Sequence, residues 1–242
     1  MTLEFSHFDA RRYPTVPVTE GYTGWAATYG DPVLDLMDLR LLAATDAVVW
    51  RGRRALDLAC GTGRIGAWLR TQGVRSLDGV DLTPAMLERA RDLAQAGRPV
   101  YDDLRLVSIT DTGLATGFYD LVTQSLACEH LEDLDPLYAE VARVLRPGGQ
   151  FAIVGFHPFF LLDGVPTHFD RAPGESVAIE SWVHLFSDHF AAAHAAGLSL
   201  VDLREGLVDD AFVARKPKWE KYRHRPVTSL QVWRKPVESA RT

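Results

Sequence analysis

The stretch Ala55-Leu-Asp-Leu-Ala-Cys-Gly-Thr-Gly-Arg-Ile-Gly66 decides the fold. Ala55, Leu56 and Leu58 make an apolar run of strand type, Gly61, Gly63 and Gly66 a glycine cluster, and Ile65, Trp68 and Leu69 the start of an amphipathic segment. That order predicts strand, tight loop and helix. Glycines at such a junction permit positive φ and let a ligand touch the backbone, while the first amides of the helix point unpaired into the same space. The stretch is half of a nucleotide-binding unit. Its Gly-x-Gly-x-x-Gly, with Asp81 about 20 residues further on, also satisfies the dinucleotide fingerprint, which keeps an NAD(P)-dependent oxidoreductase open.

Strand and helix signals alternate outward from there. Gly73 stops the first helix, Leu77 to Val80 reads as a second strand ending in Asp81, and Thr83-Pro84 opens a helix that runs through Leu87 and Ala90 to Gly97. A third strand is expected from Leu104 to Ile109, a fourth over Phe118 to Ser125, a helix from Asp135-Pro136 to Leu145, and a fifth strand over Phe151 to Val154. Ser187 caps an alanine-rich helix to Gly197, and Leu198 to Leu203 and Thr228 to Trp233 are the last two strands, one of them antiparallel. Upstream, Leu34, Met37, Leu41 and Leu42 are spaced for one helix face within Pro32 to Trp50. The basic-aromatic segment Arg215 to Arg225 reads as a solvated loop and Pro236 to Thr242 as a frayed tail. The whole order predicts an α/β domain with a doubly wound, mostly parallel seven-stranded sheet and its ligand at the carboxyl ends of the strands. Within one domain we expect a helical cover over residues 1–50, a cofactor-binding core over 51–155, a substrate lid over 156–186, and a helix with the last two strands over 187–242.

With 242 residues, 47% apolar and 24% charged, and a net charge of −6, the composition is that of an ordinary globular protein without the basic excess of a nucleic-acid binder. No stretch approaches the ~18 apolar residues of a membrane span, and Met1 to Pro14 lacks the apolar core of a signal peptide, so the expectation is a cytoplasmic protein away from the membrane. Cys60 and Cys128 form no CxxC pair and read as small buried residues. The histidines show no spacing of metal-ligand type, so no metal is expected.

The pattern Asp57-x-Ala59-x-Gly61-x-Gly63 resembles the first motif of class I S-adenosylmethionine-dependent methyltransferases, with alanine where glycine is often found. Arg143-Val-Leu-Arg-Pro-Gly-Gly149 resembles the turn into their fifth strand, and Gly21 to Tyr29 the aromatic segment that folds over cofactor and substrate in small-molecule members. The resemblance runs from Tyr22 to about Trp233, with its specific motifs between Ala55 and Val154. It implies a Rossmann-like methyltransferase fold, S-adenosylmethionine as methyl donor, S-adenosylhomocysteine as product, and a small-molecule acceptor whose O, N or C nucleophile attacks in line. A non-methylating S-adenosylmethionine-binding protein on the same scaffold is a further alternative.

By that resemblance the cofactor side comprises Tyr22, Tyr29, Asp57, Ala59, Gly61, Thr62 and Gly63, then Leu82 and Met86 against the adenine, and Gln124 and Ser125 at the end of the fourth strand. Asp81, a carboxylate at the end of the second strand, suits two-point binding of the ribose hydroxyls. Ser108 and Ile109 stand where related enzymes place an acid, with Asp111 reaching back as the alternative, and His130 has the setting of a structural histidine. For the acceptor side we take Tyr22, His157, Phe160, His168 and His184, with His157 as the base for a hydroxyl acceptor. Trp25 and the aromatic residues of the lid suit core packing as well as ligand contact.

Overall fold

Seven strands form one sheet in the computed structural model, which describes residues 3–95, 97–165 and 167–237. They are β1 (Arg54–Leu58), β2 (Ser76–Asp81), β3 (Asp103–Leu106), β4 (Tyr119–Ser125), β5 (Leu145–Phe156), β6 (Ser199–Leu207) and β7 (Pro226–Arg234). Their order across the sheet is β3-β2-β1-β4-β5-β7-β6, with β7 antiparallel to both neighbours and every other pairing parallel. Strand order reverses between β1 and β4, so the loops leaving their carboxyl ends part there and open a crevice.

Side chains alternate across the sheet and build a core on each face. Ala55, Leu121, Ala152 and Val154 pack on the side of α1 (Leu39–Ala44) and α2 (Arg64–Thr71), whereas Leu56, Val122, Phe151 and Ile153 pack with α4 (Asp135–Val144) and α5 (Phe186–Ala195). α3 (Pro84–Asp92) follows β2 and adds Leu87 and Ala90 to the first core. An aromatic cover made by the helix Val18–Trp25 stacks Trp25 on Phe169, ring centroids 5.8 Å apart, in the hairpin His168–Ala172/Glu175–Ile179. That hairpin is extended by Thr15–Val16, so the segment before the sheet and the segment after β5 close over it as one layer.

Several boundaries differ from the expectations, each for a local reason. The run Pro32 to Trp50 forms two short helices, Leu34–Met37 and α1, because the buried Asp38 carboxylate accepts the Leu39 N–H (2.6 Å) and restarts the helix. β3 ends at Leu106, and Ser108 pairs back to Asp111 in a turn. α3 stops at Asp92, and Gly97, at φ +74°, serves the turn between Ala94–Gln95 and Arg98–Pro99. Leu185 rather than Ser187 caps α5, its N–H bonded to Asp188. The Arg-Pro-Gly-Gly run is a bulge inside β5, where register passes from Tyr119↔Leu145 to Leu121↔Gln150. Arg215 to Arg225 is not a solvated loop: Trp219 and Tyr222 are buried in the first core, and Lys216 pairs with Asp31. Of the expected tail, residues 238–242 lie outside the described residues.

Gly66 shows how tightly α2 meets the sheet. A Cβ there would stand 2.3 Å from the Tyr101 ring, whose hydroxyl donates to buried Asp57 (2.7 Å). Gly66→Ala is therefore expected to lower stability by about 1–3 kcal/mol, the range for overpacking a core. Urea unfolding checks this, and a shift below a few tenths of a kcal/mol would show that Tyr101 moves freely.

Candidate active site

The crevice at the carboxyl ends of β1, β2 and β4 is a cavity walled by Ala59, Gly61, Asp81, Leu82, Thr83, Met86, Ser108, Ile109 and Ser125, with Tyr22 and Tyr29 from the N-terminal cover. Consecutive strands of a parallel sheet deliver their following loops to one edge, which is why residues so distant in sequence meet here.

The β1 loop turns sharply, with Ala59, Gly61 and Gly63 all at positive φ (+51°, +54° and +89°). Glycine adopts this without strain, whereas Ala59 carries a cost of about 1–2 kcal/mol. A Cβ added to Gly61 meets no protein atom within 4 Å, so it would project into open space. Asp81 pins this loop to the next one. Its Oδ2 accepts the Gly61 N–H (2.9 Å) and its Oδ1 the Thr83 N–H (2.8 Å). Burial raises its pKa, and these backbone bonds pull it back down. The Thr83 hydroxyl and the Leu82 N–H act on the same carboxylate, which stands at the cavity wall.

Beyond Asp81, Met86 is buried under the cavity floor and Leu82 is half exposed at its rim. Ser108 shares its hydroxyl with Thr110 (2.7 Å), and Asp111 is exposed outside the wall, so no side-chain acid reaches this end. The Ser125 hydroxyl donates to Asp38 (2.7 Å), a carboxylate held also by Arg64. Burial, the leading cause, pushes the Tyr29 phenol up to about 12 and raises that of Tyr22. Both tyrosines therefore stay neutral, and the Tyr22 hydroxyl meets Nε2 of His130 at 2.8 Å.

Four expected cofactor residues stand outside the wall. Asp57 is buried beneath the loop, taking the hydroxyls of Tyr101 (2.7 Å) and Thr123 (2.8 Å). Thr62 and Gly63 form the turn into α2, where the Gly63 N–H bonds to the Cys60 carbonyl (2.9 Å). Gln124 is buried, with its amide oxygen, in the orientation that satisfies both partners, accepting from Ala127 and Cys128 N–H (2.7 and 3.1 Å).

On the expected acceptor side, Phe160 and His168 line a second cavity with Trp25, Phe156, Thr167 and Phe169. His157 and His184 line neither cavity. His157 caps the helix Pro158–Leu162, its Nδ1 accepting from Phe159 (3.2 Å) while Nε2 meets Glu205 at 2.9 Å, so both ring nitrogens are spent on structure. The Nε2 of His184 meets the Leu131 carbonyl at 2.7 Å, and burial lowers its pKa. Sequence reasoning passed over Val18, Thr83, Leu126, Ala127, His130 and Leu131 as wall residues. Only His130 bears a chemical signal. Leu126, at φ +52°, occupies a strained conformation that a leucine does not advertise.

This is the fold of class I methyltransferases. Residues 56–153 match the family described as "Methyltransferase domain". Methyltransferase GfsG of Streptomyces halstedii is 29% identical over 155 residues, which is 64% of this chain and 55% of that protein, so the chain spans about half the length of that relative. An S-adenosylmethionine-dependent methyltransferase structure from Mesorhizobium loti superposes with a TM-score of 0.66 at 23% identity, covering 82% of this chain and 97% of that one. The cyclase SpnF shares the fold too, with a TM-score of 0.62 at 17% identity over 93% and 99% of the two chains. The methyltransferase-domain match thus covers the first five strands of the sheet in part, and the chain as a whole shares the fold of S-adenosylmethionine-dependent methyltransferases. Among the described residues no helix is long and apolar enough to cross a membrane, and no cluster of three metal-ligating side chains occurs.

Two outcomes follow from the geometry. His157→Ala is expected to cost about 0.5–2 kcal/mol of stability, as for a lost helix cap, and to leave S-adenosylhomocysteine affinity unchanged by calorimetry. Burial pushes the Asp57 carboxyl up to about 6, above the ~3.9 of an unfolded chain. Its contribution to stability is therefore whole below about pH 4 and lost as pH rises through about 6. Relative to the native protein, Asp57→Asn should gain about 2–3 kcal/mol between pH 4 and pH 8, measured by denaturant unfolding at each end. A difference independent of pH would show that Asp57 is ionised at no cost.

Proposed function

We propose that the protein transfers the methyl group of S-adenosylmethionine to a small-molecule acceptor. The observation that carries this reading is the Asp81 carboxylate, held by both flanking loops and standing at the cavity wall at the end of β2. The residues present fit the cofactor. Gly61 leaves open space where a side chain would stand, Asp81 offers two acceptors to a ribose diol, and Leu82, Met86 and Ile109 give an adenine apolar surfaces. Ser108, Ile109 and the backbone beside them are left to meet the adenine edge. Tyr22, Tyr29, Ala59 and Ser125 complete the cofactor side, while Asp57, Thr62, Gly63 and Gln124 act by shaping the loops.

When bound, S-adenosylmethionine supplies an electrophilic methyl group. The chain's own work is alignment. The β1 loop and Asp81 fix one end of the cofactor, and Tyr22 and Tyr29 exclude water from the other, so that an acceptor in the neighbouring aromatic cavity is held in line. Such positioning is worth about 7–11 kcal/mol in favourable intramolecular reactions. Residues 51–155 would form the cofactor core, 1–50 and 156–186 the cover and acceptor side, and 187–242 the supporting edge.

The nicotinamide alternative is disfavoured by the same loop. A pyrophosphate would need free backbone amides, but the Gly61 N–H is given to Asp81 and the Gly63 N–H to Cys60. The fold match to a cyclase keeps a non-methylating reading testable rather than favoured.

Calorimetry with S-adenosylmethionine, S-adenosylhomocysteine and NAD tests the proposal: the first two should bind and NAD should not. Asp81→Ala should weaken both by about 2–3 kcal/mol, the scale of charge-assisted hydrogen bonds, with circular dichroism unchanged. Tight NAD binding, or an Asp81→Ala protein of native affinity, would refute it.

A further inference from the structure

The cavity beside the proposed methyl-donor site combines aromatic walls with charged side chains. It encloses about 470 Å3, within the ~300–1,000 Å3 of small-molecule sites. Trp25 separates the two spaces. It lines this cavity and packs on Tyr22 and Tyr29 of the first, with ring centroids 6.0 and 4.9 Å away. Phe156, Phe160, Phe169 and Trp219 supply further apolar wall.

The charges come from segments distant in the chain. Arg11 precedes the cover helix, Asp31 follows it, Asp170 belongs to the hairpin after β5, and Lys216 and Lys218 stand at the start of the short helix Pro217–Tyr222. Two of the five are matched to each other, since Lys216 pairs with Asp31. Asp170 is exposed and accepts the Ser176 hydroxyl (2.5 Å). Arg11 donates to Nε2 of His168 (2.9 Å), which leaves that imidazole uncharged, and its guanidinium carbon lies 5.8 Å from the centre of the Tyr13 ring. The guanidinium is thus held in place without a carboxylate. Among the described residues neither Arg11 nor Lys218 has an acidic partner within ion-pair distance. Three cations against two carboxylates leave this wall one positive charge in a chain whose net charge is −6.

We propose that this cavity binds a flat apolar acid by its carboxylate, with Arg11 and Lys218 as the partners, and that such an acid is the methyl acceptor. Its role as acceptor rests on the methyltransferase reading above. The aromatic walls suit a ring, and the guanidinium fork of Arg11 matches the two oxygens of a carboxylate. One surplus positive charge is met by a monoanion. A phosphate dianion would bring a second negative charge to a wall that already holds Asp31 and Asp170, and an ammonium group would meet Arg11 and Lys218. The carboxylate is the handle by which the acceptor is held, because none of these charged groups lines the first cavity.

Calorimetry at neutral pH on the full chain loaded with S-adenosylhomocysteine tests this, with 2-naphthoate as the probe, 2-naphthamide as its uncharged counterpart and 2-naphthyl phosphate as the dianion. Naphthoate should bind more tightly than either. Arg11→Gln should weaken it about tenfold, the scale of a hydrogen bond to a charged group, and Lys218→Gln about threefold, that of an exposed ion pair, while naphthamide binds all three proteins alike. Lys218 is exposed, so its variant keeps the test decisive if Arg11→Gln disturbs the hairpin. Naphthamide binding as tightly as naphthoate, the phosphate binding more tightly, an affinity that ignores both substitutions, or no naphthoate binding at all would overturn the acid site. Failure of S-adenosylhomocysteine to bind, with the unloaded protein still taking naphthoate, would instead remove the methyltransferase reading and the acceptor role and leave the acid site standing.

Discussion

Two hydrogen bonds to one carboxylate organise this molecule's working edge. Asp81 ends β2, and through Gly61 and Thr83 it ties the loop leaving β1 to the loop leaving β2. The clamp joins the Gly63-to-Cys60 and Cys60-to-Val80 backbone bonds in holding the positive-φ turn at Ala59 to Gly63, where Ala59 is itself strained. The clamp also spends the Gly61 amide that a phosphate ligand would otherwise claim, and sets the carboxylate at the cavity wall. One interaction thus both fixes the loop and selects the ligand chemistry that the edge can offer.

A second layer of buried polar groups supports the clamp from below. Asp57, Tyr101 and Thr123 form a closed hydrogen-bonded set beneath the β1 loop, and Asp38 gathers Leu39, Arg64 and Ser125 beside it. Ser125 lines the cavity and the others stand behind its wall, where they set how the loops stand. Burying them is unfavourable unless every partner is present, so the network specifies one arrangement of loops rather than several.

The sheet was legible because strand, glycine turn and helix repeat in order, and because apolar residues mark each strand. The wall of the cavity was legible where a residue type is tied to backbone geometry or charge, as at Gly61 and Asp81. It was not legible where position depends on tertiary contacts. Asp57 and Gln124 look like wall residues in one dimension, and only the neighbouring Tyr101 and the turn at Ala127 place them behind the loops. His157 has the chemistry of a base but the address of a helix cap. Trp219 and Tyr222 were hidden by the lysines and arginines around them, whose charges face outward while the rings pack inward.

The central claim is that this edge holds S-adenosylmethionine by its ribose at Asp81 and points its methyl toward the aromatic cavity behind Tyr22 and Tyr29. A crystal structure of the S-adenosylhomocysteine complex tests it most directly. The account predicts both ribose hydroxyls on Asp81, the adenine between Leu82, Met86 and Ile109, and the sulfur facing Tyr22 and Tyr29. A ribose away from Asp81, or a ligand seated elsewhere on the molecule, would contradict it.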